Sequence, residues 1–178
     1  MIKTIAIAIA VLVAAVLAFA ATRPREFAVT RTIDIQAPPE RIFGLIADFH
    51  QWGAWSPWEK IDPGMKRTFS GAAIGAGAVY EWSGNSKVGA GRMEILEANA
   101  PSNVRIKLDF LKPIEGHNLT EFTVQPNNAQ TRVVWLMQGP MAYIAKLMSV
   151  FVSMDKMIGA DFERGLRNLK AAAESPAP

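Results

Sequence analysis

Hydrophobic and polar positions fall into three regimes along the chain. Residues 5–21 are apolar without a break. From residue 27 the period becomes two: Phe27, Val29, Arg31, Ile33 and Ile35 alternate with Ala28, Thr30, Thr32 and Asp34, as in a half-buried strand. Gln36-Ala37-Pro38-Pro39-Glu40 breaks that strand, and a proline in the first turn suits a helix over 39–47 with Ile42, Phe43 and Ile46 on one face. Period two returns from 65 to 138. Ala78, Tyr80 and Trp82 alternate with Val79, Glu81 and Ser83, and the turn at 83–87 reverses the chain into a strand over 88–96. Val104, Ile106, Leu108 and Phe110 then oppose Arg105, Lys107 and Asp109, and Phe122, Val124, Val133, Trp135 and Met137 continue the apolar side.

The last regime has a period near 3.6. Ile144, Leu147, Met148, Phe151, Ile158, Phe162, Leu166 and Leu169 recur at three- and four-residue steps, which predicts one long helix over 141–173. Such a helix needs an apolar partner to be stable in water. Asp155 interrupts the stripe. Either a nearby N–H satisfies its carboxylate, or it stands on the wall of a cavity that helix and sheet fail to fill. Gly159 and Gly165 beside it permit close packing. The predicted fold is therefore α+β: an antiparallel sheet of six to seven strands curled around a C-terminal helix.

Composition changes this picture in two places. Half the residues are apolar, but much of the excess lies in the first two dozen positions. The formal charge is +3, yet Lys3, Arg23 and Arg25 against Glu26 account for most of it, leaving 16 basic and 15 acidic residues from Phe27 onward. No basic cluster is interleaved with aromatics, so a nucleic-acid partner has no support. The run at 5–21 is long enough to span a bilayer, whereas Ala18-Phe19-Ala20 fits a cleavable signal. Residues 1–24 are thus an N-terminal membrane anchor, a transmembrane helix, or else a signal segment of a periplasmic or secreted protein. Residues 27–174 are the working domain and 175–178 a tail.

Ile35-Gln36-Ala37-Pro38-Pro39-Glu40-Arg41-Ile42-Phe43, Asp48-Phe49, the tryptophan-rich 52–58 and the closing Asp161-Phe162-Glu163-Arg164-Gly165-Leu166-Arg167-Asn168-Leu169-Lys170 together resemble the polyketide cyclase/START-like (SRPBCC) superfamily. The Trp55-Ser56-Pro57-Trp58 wording is similar to a membrane-anchored bacterial subgroup whose role is not established. The resemblance implies the helix-grip fold and a cavity between helix and sheet that takes lipids, sterols, polyketides or hormones; it implies no single activity.

Candidate chemistry is sparse. Cysteine is absent, which removes thiolate catalysis and Cys-based zinc sites. His50 and His117 lack paired ligand spacing, so no metal is expected, and no cofactor motif appears. Gly71-Ala72-Ala73-Ile74-Gly75-Ala76-Gly77 lacks the Lys-Ser/Thr of a phosphate loop. Glu81, Glu94, Asp109 and Glu121 alternate away from the apolar face. The expected ligand-binding surface is instead apolar: Tyr80, Trp82, Met93, Ile95, Phe110, Phe122, Trp135 and Met137 from the sheet, Met148, Phe151, Asp155 and Phe162 from the helix, with Trp55 and Trp58 as a rim lid. The leading expectation is non-catalytic binding of a hydrophobic small molecule or lipid. The alternatives are a cyclase or hydratase using Tyr80 and Asp155 as acid and base, and an interaction domain with a filled core.

Overall fold

The computed structural model describes residues 1–176, so the last two residues of the expected tail, Ala177 and Pro178, lie outside the described residues. Helix α1 (Ile2–Thr22) is followed by β1 (Glu26–Ile35), α2 (Pro39–Ala47), a 3₁₀ turn (Phe49–Gln51) and α3 (Trp52–Trp55). Six more strands come next: β2 (Lys66–Gly71), β3 (Ala78–Ser83), β4 (Ala90–Asn99), β5 (Asn103–Lys112), β6 (Gly116–Asn127) and β7 (Gln130–Pro140). Helices α4 (Tyr143–Ser149) and α5 (Met154–Glu174) close the chain.

All seven strands form one antiparallel sheet in the order β1-β7-β6-β5-β4-β3-β2. Five of the six neighbouring pairs join strands consecutive in sequence; the sixth pairs β1 with β7, Glu26 opposite Pro140 and Ile35 opposite Thr131. The alternation read from the sequence sets the inner face: Met93 lies opposite Leu108, Ile95 opposite Ile106, and Phe122 opposite Trp135. Helix α5 lies against this face, chiefly along β1, and the short α2 and α3 pack between it and the ends of β5 and β6. This is the expected α+β helix-grip-like fold.

One expectation fails. The terminal helix is not continuous: residues 150–153 separate α4 from α5. Ser153 takes extended backbone and its hydroxyl accepts the Lys156 N–H at 3.3 Å, so it starts a new helix instead of continuing the old one. Only α5 grips the sheet, with Phe162, Leu166, Leu169 and Ala173 fully buried. Each such side chain of Leu or Phe size contributes about 2 kcal/mol from burial. Gly165 permits the approach: a Cβ there would stand 2.8 Å from the Trp135 ring and 3.1 Å from Pro57.

Helix α1 is long and apolar enough to cross a membrane and is almost wholly exposed, only Ala20 being buried. It stands beside α4. The Tyr143 hydroxyl donates to the Leu17 carbonyl at 2.9 Å, and the Arg23 guanidinium donates to the Ser149 hydroxyl and carbonyl at 3.3 and 3.2 Å.

Candidate functional site: a cavity between sheet and helix

The inner face is filled at one end and hollow at the other. A cavity of about 360 Å³ lies between the β3–β7 part of the sheet and the first half of α5. Of the residues expected to line a site, Trp58, Tyr80, Trp82, Met93, Phe110, Trp135, Met137 and Phe162 share its wall. They come from five strands or helices and one loop, brought together by strand parity and by the depth at which α5 crosses.

Six others do not reach it. Trp55, Ile95 and Phe122 are fully buried in packed core, because α2 and α3 occupy the space in front of them. Trp55 is not a rim lid: its indole N–H donates to the Leu45 carbonyl at 2.9 Å, and that of neighbouring Trp52 to the Ile46 carbonyl at 3.0 Å. Met148 and Phe151 fall outside because the break after α4 turns them to solvent, leaving Phe151 75 % exposed. Asp155 lies on the outer side of α5, where the Arg31 guanidinium donates to it at 2.7 and 3.1 Å and to Glu163 at 2.8 Å. That pairing holds the Asp155 carboxyl below the usual carboxylate range, and it pins α5 to β1. The acid–base pair of Tyr80 with Asp155 is therefore not assembled.

The polar partner of Tyr80 is Glu59, which the sequence reading passed over. Its carboxylate accepts the Tyr80 hydroxyl at 2.6 Å and the Arg67 Nε–H at 2.7 Å, while a second Arg67 nitrogen donates to the Glu59 carbonyl at 2.8 Å. Burial, followed by the bond to Glu59, pushes the Tyr80 phenol well above its usual value. The hydrogen bond to Glu59 likewise raises Arg67. The Tyr80 phenol, the Glu59 carboxyl group and the Arg67 guanidinium are thus locked together in this corner. The position of Glu59, directly after Trp58 in the tryptophan-rich stretch, was the one available signal.

Two buried side-chain atoms on the same wall have no hydrogen-bond partner: Thr120 Oγ1 and Trp135 Nε1. Among the described residues no other buried side-chain nitrogen or oxygen is left so. Thr120 faces inward by the same parity as Phe122; it lies opposite Met137 and is thereby the diagonal cross-strand neighbour of Trp135. Its alternation with Phe122 was legible, but its hydroxyl hid it from a search for apolar residues. Trp135 is held by stacking on Phe162 at 4.1 Å between ring centroids and by edge contacts with Trp55 and Trp58. An unpartnered buried donor costs roughly 1–3 kcal/mol.

The mouth is framed by Lys87 and Val88 of the β3–β4 turn, Ile114 and Glu115 of the β5–β6 turn, and Pro140, Ala142 and Ala145 leading into α4. A second hollow, at Glu26, His117 and Gly139, is open and walled by polar and apolar groups in similar measure.

A family model described as polyketide cyclase / dehydrase and lipid transport matches residues 26–174. No curated protein matches the sequence significantly. Among solved structures, a Chromobacterium violaceum protein superposes with a TM-score of 0.59 at 16% identity, covering 86% of this chain and all of its own. A Mycobacterium smegmatis protein gives 0.57 at 19% identity, with 85% and 93% covered. The di-domain ARO/CYC StfQ from the steffimycin biosynthetic pathway gives 0.61 at 8% identity, with 84% of this chain and 51% of StfQ covered. At these identities the likeness is one of fold.

Proposed function

Because the chain belongs to the polyketide cyclase / dehydrase and lipid transport family over residues 26–174, we propose that its domain holds one hydrophobic small molecule or lipid between the sheet and α5, without transforming it. The observation that carries this reading is the cavity of about 360 Å³ walled by tryptophan, phenylalanine and methionine side chains. That volume lies within the usual range of about 300–1,000 Å³ for small-molecule sites, and methionines adapt to guests of different outline. The orphan Thr120 and Trp135 groups favour an amphiphile with one acceptor oxygen over a plain hydrocarbon. A filled-core interaction domain leaves such a volume unexplained.

Helix α1 serves in this reading as an uncleaved anchor. Cleavage after Ala20 would remove the Leu17 carbonyl that Tyr143 donates to. The intact mass of the mature protein tests it, 19.4 kDa being expected for the whole chain.

Gentle extraction followed by native mass spectrometry, with titration by fluorescent fatty acids, long-chain alcohols and ketones, tests ligand binding. Co-purification of an apolar molecule, or saturable binding with a raised unfolding temperature, is expected. If no apolar compound binds or stabilises the protein, the reading is wrong.

A catalytic reading draws its specific support from Glu59 and Tyr80, 2.6 Å apart on the cavity wall. Turnover of a cyclisable or hydratable apolar substrate that Glu59→Gln abolishes, with binding retained, would establish it. The clamp of Arg67 on Glu59 speaks for fixed recognition instead, since both carboxylate oxygens are already engaged by side chains of the protein.

A further inference from the structure

The cavity mouth, the foot of α1 and an exposed apolar ridge all sit at one end of the domain. The strand directions fix this: β1 starts, β7 ends and the β3–β4 and β5–β6 turns all fall at the edge where α1 enters. Helix α4 joins the three. Ala142 and Ala145 face the cavity, while Ile144 and Met148, one turn apart on its other side, are 48 % and 42 % exposed. Phe151 and Val152 extend that outward surface through the break before α5, and Ile114 continues it from the β5–β6 turn. A patch of this kind on a chain without another use for it marks a contact surface.

We propose that this ridge is a membrane-docking face, so that the cavity opens against the lipid bilayer and exchanges its guest with it directly. The proposal rests on reading α1 as a span. A helix of 21 residues covers about 30 Å, the thickness of the hydrocarbon layer, and therefore brings Thr22 to the headgroup level. There the Tyr143–Leu17 and Arg23–Ser149 bonds hold α4 beside the end of α1. The chain cannot place α1 in a bilayer without bringing α4 to its surface. Arg23, Arg25, Lys146, Lys156 and Lys112 border the ridge and suit lipid phosphates, against Glu26 and Glu115; the third acid, Asp155, is already engaged by Arg31. Phe151 is the natural wedge: it makes no core contact, and its insertion to the acyl boundary buries a ring that otherwise stays in water.

The chain has no cysteine, so a single fluorophore can be placed at will. Full-length Ile144→Cys, Phe151→Cys, Val11→Cys and Ser102→Cys variants, each carrying an environment-sensitive dye, are reconstituted in phosphatidylcholine/phosphatidylglycerol vesicles. Each is then quenched from the bilayer with brominated lipid and from water with iodide. Val11 reports the span, and Ser102, in the β4–β5 turn at the far end, reports water. The expected result is loss of fluorescence to brominated lipid at positions 144, 151 and 11, and to iodide alone at 102. If 11 is quenched by lipid while 144 and 151 behave like 102, this proposal falls and the anchor stands. If 144 and 151 are shielded from both quenchers, a protein covers the ridge and the proposal is equally wrong. If 11 itself answers only to iodide, anchor and docking face fall together. Cavity binding is measured separately by titration and survives each of these outcomes.

Discussion

Toward the 99–103 turn, the inner face of the sheet is closed: Ile95, Val104, Ile106, Phe122, Val124 and Val133 are at most 1 % exposed, with Trp55 laid over them edge-on to Phe122 at 5.9 Å. Toward the 113–116 turn, the same strands carry Met93, Leu108, Phe110, Thr120 and Met137, and these border empty space. Both halves are largely apolar, so hydrophobicity alone does not separate them. What separates them is a plug. Helices α2 and α3 fill the space in front of the first half, whereas the first half of α5 and, at the mouth, α4 stand off from the second half and leave a cavity before it. A sheet face becomes core or pocket according to what is placed over it.

Substitutions can break this contrast or sharpen it. The largest effect is expected in the closed half, where Trp55→Ala removes a buried indole and its bond to the Leu45 carbonyl. A loss of about 3–5 kcal/mol in denaturant unfolding is expected; a loss below about 1 kcal/mol would show that the plug is loosely packed. A paired experiment places one bulky residue in each half. Ile106→Trp overpacks the closed side and should cost about 1–3 kcal/mol. Met137→Trp enters open volume, should change stability by less than about 1 kcal/mol, and should weaken guest affinity at least about tenfold. Equal destabilisation by both would erase the distinction.

Tyr80 gives a pH signature of the open half. In the unfolded chain its phenol ionises near pH 10, whereas in the folded protein burial and the bond to Glu59 keep it protonated to higher pH. Its contribution to stability is therefore complete below about pH 10 and declines as pH rises through that value toward the folded one. Tyr80→Phe should flatten this alkaline fall, as measured by unfolding midpoints between neutral and strongly alkaline pH; an unchanged fall would assign it to other groups. The smallest effect is expected for Trp135→Phe, which removes an unpartnered N–H while keeping the stack on Phe162. Stability should shift by no more than about 1 kcal/mol, and affinity should drop selectively for guests carrying an acceptor oxygen.

The strands, their order and their inward faces were legible because a two-residue period states which side each residue takes. Depth was not. Ile106 and Leu108 share a face and a strand, yet one is sealed and the other borders the cavity, and the difference comes from α2 and α3, distant in sequence. Asp155 misled for a related reason. Its spacing from Phe151 and Ile158 put it on the stripe of one continuous helix, but the Ser153 cap starts a fresh helix and Arg31 of β1 claims the carboxylate. Glu59 was invisible to periodicity because it lies in a loop, where no repeat marks which way a side chain turns.

The sheet also has a seam. Strand β1 is the first of the seven to be synthesised, yet its sole neighbour is β7, about a hundred residues later. Until then the opening strand has no ladder to join, and the growing meander exposes its greasy side to whatever is near. Folding that ends by marrying the first strand to the last is slow by its nature. The sheet therefore cannot close on its first edge until the last strand has been made, which leaves β1 the strand that waits longest for its partner.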